Sequence, residues 1–202
     1  MKIAFGRKFT ATIFAVAMTV PAFAATCALD DVTYGVDGPS GLAQIADGCR
    51  TLDGENDNVA LINTLGFGTT YQELAKYDAP STSSPHNVYG YEWTLSPVSG
   101  TSGAWTLTSN PIPDTELMLD LIIVVKASNA FAAYWFNDVR FDGSGGGLWE
   151  TIFTNQKSKL HNISHMTAYD DLIGYQVPEP GSLALLGLAL AGALATRRRI
   201  RA

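Results

Sequence analysis

The chain has 202 residues, with 13 basic and 19 acidic side chains and two cysteines, a length that fits one domain plus processing segments. Between residues 25 and 177 six basic residues face eighteen acidic ones, a net charge of −12. Such a body excludes nucleic acid and anionic lipid as its partners, because both are bound through clusters of Lys and Arg.

The first 24 residues read as an export signal to be set aside before any fold argument. Lys2, Arg7 and Lys8 form a basic start, residues 9–20 an apolar stretch too short for an ordinary span, and Ala22-Phe23-Ala24 a small-x-small cleavage site. The mature chain is expected to begin at Ala25, with residues 25–176 as its extracellular domain.

Cys27 and Cys49 both lie in the mature body. In the oxidising compartment that export implies, a disulfide between them is the default, worth roughly 3 kcal/mol for a loop of this length. No Cys-x-x-Cys and no neighbouring His argue for a metal or a reactive thiol instead.

Asp53-Gly54-Glu55-Asn56-Asp57-Asn58 begins like an EF-hand loop, but Asn58 stands where that loop needs Gly and Thr64 where it needs Glu. A solvated turn leading into a helix is the competing reading. Asn56 or Asp57 would cap a short helix over 59–65, and Gly66 would end it. Residues 71–78 are ambiguous: Thr70 and Glu73 have capping-box spacing, yet turn-rich flanks and Tyr71 and Tyr77 suit a strand equally. Residues 79–85 read as an exposed loop.

From Asn87 onward the pattern is β. Tyr89, Tyr91, Trp93 and Leu95 alternate with smaller or polar residues, 97–103 is a turn, and 104–109 alternates again. Leu117, Leu119, Leu121, Ile123 and Val125 give a long strand one apolar face; Met118, Asp120, Ile122, Val124 and Lys126 form the other. Residues 127–129 turn into a strand over 130–136. The glycine run 143–147 reads as a flexible loop, and 148–154 and 162–169 as further strands. The expected class is all-β, an antiparallel, jelly-roll-like β-sandwich with one short helix.

Catalytic arrangements are sparse. His161 and His165 have metal-ligand spacing on a helix, but on the expected strand residues four apart lie about 13 Å from each other. Gly100-Thr101-Ser102-Gly103 is no nucleophile elbow, and the glycine run 143–147 lacks both the dinucleotide spacing and a P-loop lysine. The pairs Asp30-Asp31 and Asp170-Asp171 would point to opposite faces when extended. Trp93, Trp105, Trp135 and Trp149 are either core or a sugar-stacking platform; the core reading carries more weight because aromatics supply much of a sandwich's buried area. No cofactor, catalytic residue or metal site is assigned.

Val177-Pro178-Glu179-Pro180 opens the C-terminal tail. Residues 181–196 follow without charge, and Arg197, Arg198, Arg199 and Arg201 lie at the end. The prolines disfavour helix at Val177 and Glu179, leaving an extended segment that a peptidase can read. Sixteen helical residues span about 24 Å, short of a hydrocarbon core of ~30 Å, and the arginines belong on the cytoplasmic side. Such a transmembrane helix suits temporary retention of a body held outside.

This tail, over 177–202, resembles the PEP-CTERM sorting signal. The body is similar to the globular part of PEP-CTERM proteins at Cys49, Gly66-Phe67-Gly68, residues 74–78 and 121–126, Ala132-Ala133-Tyr134 and residues 163–166. The resemblance implies an exosortase as processing partner, and a destination in the cell envelope or extracellular matrix of a bacterium that makes exopolysaccharide. It implies a β-rich body and supplies no catalytic residues. The leading expectation is a non-enzymatic surface or matrix protein with an adhesive, structural or glycan-contacting role; the alternative is a secreted enzyme acting on polysaccharide.

Overall fold

The computed structural model of the chain describes residues 26–40, 42–68, 70–80, 82–155 and 157–171. The export signal with its cleavage residues Ala22, Ala24 and Ala25 lies outside the described residues. So do Val177, Pro178, Glu179 and Pro180, the expected membrane helix over 181–196, and Arg197, Arg198, Arg199 and Arg201. Among the described residues no helix is long and apolar enough to cross a membrane.

Among the described residues eleven strands, a 3-10 turn (Gly38–Ser40, between β1 and β2) and one short α-helix follow in order: β1 (Thr33–Tyr34), β2 (Gln44–Ile45), β3 (Gly48–Asp53), α1 (Val59–Ile62), β4 (Tyr71–Asp78), β5 (Thr82–Val88), β6 (Tyr91–Pro97), β7 (Ser102–Asn110), β8 (Leu117–Ala127), β9 (Ala130–Phe141), β10 (Ser144–Glu150) and β11 (His165–Asp171). β1 and β2 pair with each other. The other nine form one antiparallel sheet in the order β10-β7-β6-β5-β4-β11-β8-β9-β3. β5 is its corner. Ser83, Ser84 and Pro85 pair with β4, while His86, Asn87 and Val88 pair with β6, so the sheet turns within a single strand. The curled sheet brings β6 against β4 and β11.

The interior follows from the period-2 alternation of the strands. The odd face of β8 meets Trp93 and Leu95 of β6, Trp105 and Leu107 of β7, and Tyr134 and Phe136 of β9 in the main core. Trp93 and Trp105 are fully buried, and their indole N–H groups donate to Val88 O and Thr33 O, each at 3.1 Å. The even face of β8 is also covered. Ile122 and Val124 pack with Phe131, Ala133 and Tyr169 beneath Ile62 and Leu65. Burying each such aliphatic side chain stabilises by about 1.5–3 kcal/mol, so α1 and its flanking loop seal a second core on the outside of the sheet. Asn58 caps α1 by accepting from Leu61 N–H at 3.0 Å; the cap is one residue beyond those read from the sequence.

Asp120 marks an irregularity in the central ladder. The pairing of β8 with β9 shifts between Leu119 and Leu121, where Asn137 and Asp138 crowd into β9. Asp138 adopts φ 51°. The Asp120 carboxylate accepts the Asp138 N–H at 2.9 Å, satisfying a donor that the bulge removes from the ladder.

Several local expectations change. Residues 71–78 are strand β4. The loop expected over 79–85 is shorter, because β5 begins at Thr82. Tyr89 is a turn residue: with Gly90 it takes positive φ, 60° and 84°, as a tight hairpin turn requires. The glycine run 143–147 is largely strand, since β10 starts at Ser144. A bare backbone is needed there by the segment that crosses it. A Cβ at Gly147 would lie 1.9 Å from Thr33 O, and one at Gly146 2.2 Å from Trp105 O. Gly35 exchanges backbone hydrogen bonds with Gly146 at 2.7 and 3.0 Å. Residues 32–35 thus lie directly on β10, and glycine is what lets them approach.

Cys27 and Cys49 form a disulfide across a separation of 22 residues, fastening the start of the body to β3. Because the atoms facing Gly147 are backbone, they cannot rotate aside. Gly147→Ala should therefore destabilise the fold by about 3 kcal/mol or more, read as a lowered urea midpoint; Ser144→Ala, at an exposed position of the same strand, should shift stability by less than about 0.5 kcal/mol.

Candidate functional site

The two weak metal motifs of the sequence meet in space as a single polar cluster. Asp57, from the EF-hand-like turn, and His165, the first residue of β11, lie 108 positions apart. His165 Nε2–H donates to Asp57 Oδ1. Asp57 Oδ2 accepts from Thr167 Oγ1 at 2.7 Å and from the Tyr169 hydroxyl at 3.1 Å. His165, Thr167 and Tyr169 are alternate residues of one strand, so all three side chains leave the same face. The loop over them is held a second time: the nearly buried Lys126 donates from Nζ to Glu55 O at 2.7 Å. His165 Nδ1 lies 3.9 Å from Asp78 Oδ1.

The Asp57 side chain is almost fully enclosed. Burial alone would raise its pKa, but the hydrogen bond and charge of His165, the Thr167 hydroxyl and the charge of Lys76 outweigh that and hold it at about 2. Tyr169 is pushed upward, by burial first and by the Asp57 charge second. Both groups therefore keep at neutral pH the forms that bond each other, a carboxylate and a phenol. Among the described residues His165 hydrogen-bonds no serine hydroxyl and no thiol, and Thr167 donates to Asp57. The arrangement can pin a loop and hold a proton between carboxylate and imidazole; it presents no activated nucleophile.

Other candidates disperse. His161 is half-buried and outside β11. Asp53 and Glu55 stay exposed while Asp57 turns inward. Among the described residues no three His, Cys, Asp or Glu side chains gather closely enough to hold a metal ion. Trp93, Trp105 and Trp149 are core, and Trp135 is half-buried, stacked on Phe67 with ring centres 5.6 Å apart. Three of the four tryptophans thus offer no face to a sugar. Asp170 and Asp171 do point to opposite faces. Asp171 accepts from Thr70 Oγ1. Asp170 is fully buried, and among the described residues neither of its carboxyl oxygens has a partner. Its pKa is raised well above the carboxylate range, by burial first and then by the charges of Asp120 and Asp171.

The link between Asp57 and His165 leaves only a trace in the sequence. His165, Thr167 and Tyr169 alternate with the apolar Met166 and Ala168, so three polar side chains share one face of β11. Nothing local pointed to Asp57 as the group they share.

A family model of the PEP-CTERM protein-sorting motif matches residues 176–199. No curated protein and no solved structure matches the chain. The motif marks an exosortase-sorted protein, exported to the cell envelope or extracellular space.

Two titrations test this reading of the cluster. The Asp57 contribution is fully present above the unfolded value of 3.8 and is lost as pH falls through about 2. Asp57→Asn should cost about 2 kcal/mol at pH 6, and its urea midpoint should converge on the parent's between pH 4 and 2. Asp170 has the opposite sign. Below the unfolded value both states are protonated; above it only the unfolded chain ionises, so the penalty grows with pH. Asp170→Asn should match or fall below the parent near pH 4 and gain on it steadily toward pH 8; a constant difference would remove the buried-acid assignment.

Proposed function

We propose that the exported body is non-enzymatic and works by adhesion in the extracellular matrix, including contact with exopolysaccharide. In this reading residues 181–196 and the terminal arginines retain the chain at the membrane until an exosortase processes it near 177–180. The observation that carries the proposal is how the chemically capable side chains are used. Asp57 and His165 direct their hydrogen bonds to each other and to β11, fastening a loop. A hydrolase acting on polysaccharide instead needs two carboxyl groups converging on an open cleft.

The buried tryptophans also bear on how contact is made. A platform of stacked indoles is not available from Trp93, Trp105 or Trp149, and the body's charge of −12 repels an acidic polysaccharide. Exposed carboxylates such as Asp30, Asp53 and Glu55 suit bridging through divalent cations, which bind oxygen ligands from both sides.

Mature secreted protein should be retained on the host's own exopolysaccharide when calcium is present, and released by chelator or by salt as screening grows. Absence of retention in both conditions would remove the glycan contact. Release of saccharide at catalytic rates, abolished by changing one or two carboxylates, would reassign the body to the polysaccharide-acting enzymes.

A further inference from the structure

The two margins of the nine-stranded sheet differ. Along β10 the outer edge is covered: Glu150 N–H donates to Asp31 O, Leu148 N–H to Thr33 Oγ1, and Gly146 exchanges bonds with Gly35. β3, at the other margin, pairs with β9 on one side, and no described strand lies on its other side.

Which groups face that open side follows from the register. β3 pairs with β9 as Gly48↔Trp135 through Asp53↔Ala130, and just beyond the strand Gly54 N–H donates to Asn129 O at 2.8 Å. Bonded residues recur every second position of an antiparallel ladder. Gly48, Arg50 and Leu52 therefore bond β9, and the N–H and C=O groups of Cys49, Thr51 and Asp53 point outward at the repeat of a strand.

A groove of about 530 Å³ runs along this edge. Thr26 and Cys27 flank it on one side, Thr64 and Leu65 on the other, with Arg50 and Leu52 between. The Arg50 guanidinium is 5.8 Å from the centre of the Phe67 ring. It is exposed, and among the described residues no carboxylate pairs with it, although the body has three acids for every base. Among the described residues the groove thus combines a backbone ladder that pairs with no further strand and a positioned cation with no carboxylate partner.

We propose that the β3 edge is a strand-addition site for an extended segment of a partner protein, with a carboxylate side chain opposite Arg50 and an aliphatic one opposite Leu52, two residues away. Main-chain hydrogen bonds to Cys49, Thr51 and Asp53 supply the affinity, and the alternate side chains supply the selection. Arg50 and Leu52 fall at the positions where cross-strand side chains approach most closely, because on this side their backbone groups make no ladder bonds. Charge complementarity selects an acidic strand, and the strand repeat of the open amides selects a peptide. This site stands whether or not the exopolysaccharide contact does.

The full mature protein is panned against a display library of random nine-residue peptides, and the enriched peptides are synthesised and measured by fluorescence anisotropy. Enriched peptides should share an acid two positions from an aliphatic residue. Binding should weaken about tenfold in Arg50→Gln, through loss of a charge-assisted pair. It should vanish in Thr51→Pro, which removes an outward N–H while leaving the β9 ladder intact. N-methylation of the peptide should abolish binding at alternate amides and be tolerated at those between them, a readout that holds even should Thr51→Pro fold poorly. No enrichment, or peptides indifferent to Arg50→Gln and to N-methylation, overturns the proposal. So does a concentration-dependent dimer in sedimentation that Thr51→Pro dissolves, since the occupant would then be a second copy of the chain.

Discussion

The Asp57 carboxylate ties the 54–58 loop to the sheet through three side chains of one strand. Its three side-chain donors all come from β11, so one residue of an otherwise exposed turn is tied to the middle of the sheet. That tie, with Lys126 holding Glu55 O, lays the 54–58 loop and α1 over the outer face of β8 and β9. Without a cover, Ile122, Val124 and Phe131 would face water. A four-residue helix has little stability of its own, so its place is set by the cap at Asn58 and the apolar residues beneath it. The same loop continues into Thr64 and Leu65, which form one wall of the groove beside β3. A buried carboxylate is expensive to desolvate and is tolerated only when its lone pairs are filled; here the cost is offset by three hydrogen bonds and a nearby lysine.

The opposite margin is fastened differently. There backbone meets backbone, with residues 32–35 seated on the glycines of β10. This contact uses no charge: it combines backbone hydrogen bonds, the Thr33 hydroxyl and the absence of Cβ atoms at the glycines. The disulfide joins Cys27 to strand β3 at Cys49. An exported domain of this size gains from such closures, because its core alone leaves a small margin over conformational entropy. Among the described residues one edge of the sheet is closed by residues 31–35, while the other carries an exposed arginine and no further strand.

The functional reading divides in the same way. Sorting is written in a short linear motif, read in sequence by a processing enzyme, and needs no fold to be recognised. The work of the body depends on surfaces. Its net charge of −12 sets which polymers can approach it directly, and its buried indoles remove the stacking surface that composition suggested.

By itself the sequence determined the address and the elements. The tail motif, the cysteine pair and the two-residue period of β8 and β11 are local, and local physics is enough to read them: proline restricts its predecessor, alternation fixes a face, and two cysteines in an oxidising compartment pair. It left 71–78 open between helix and strand because capping spacing and β propensity balanced there, and it read 143–147 as a loop because glycine is ordinarily a strand breaker. Only the tertiary structure decided those two cases, the partnership of Asp57 with His165, and which end of the sheet stays open. Each depends on atoms that are close in space and far apart in the chain. Thr33 O against Gly147 turns a run of breakers into a strand, and the face of β11 makes an anchor of an acid that looked like a calcium ligand. Such pairings carry no periodicity, and the energy that fixes them exists only once the sheet has closed.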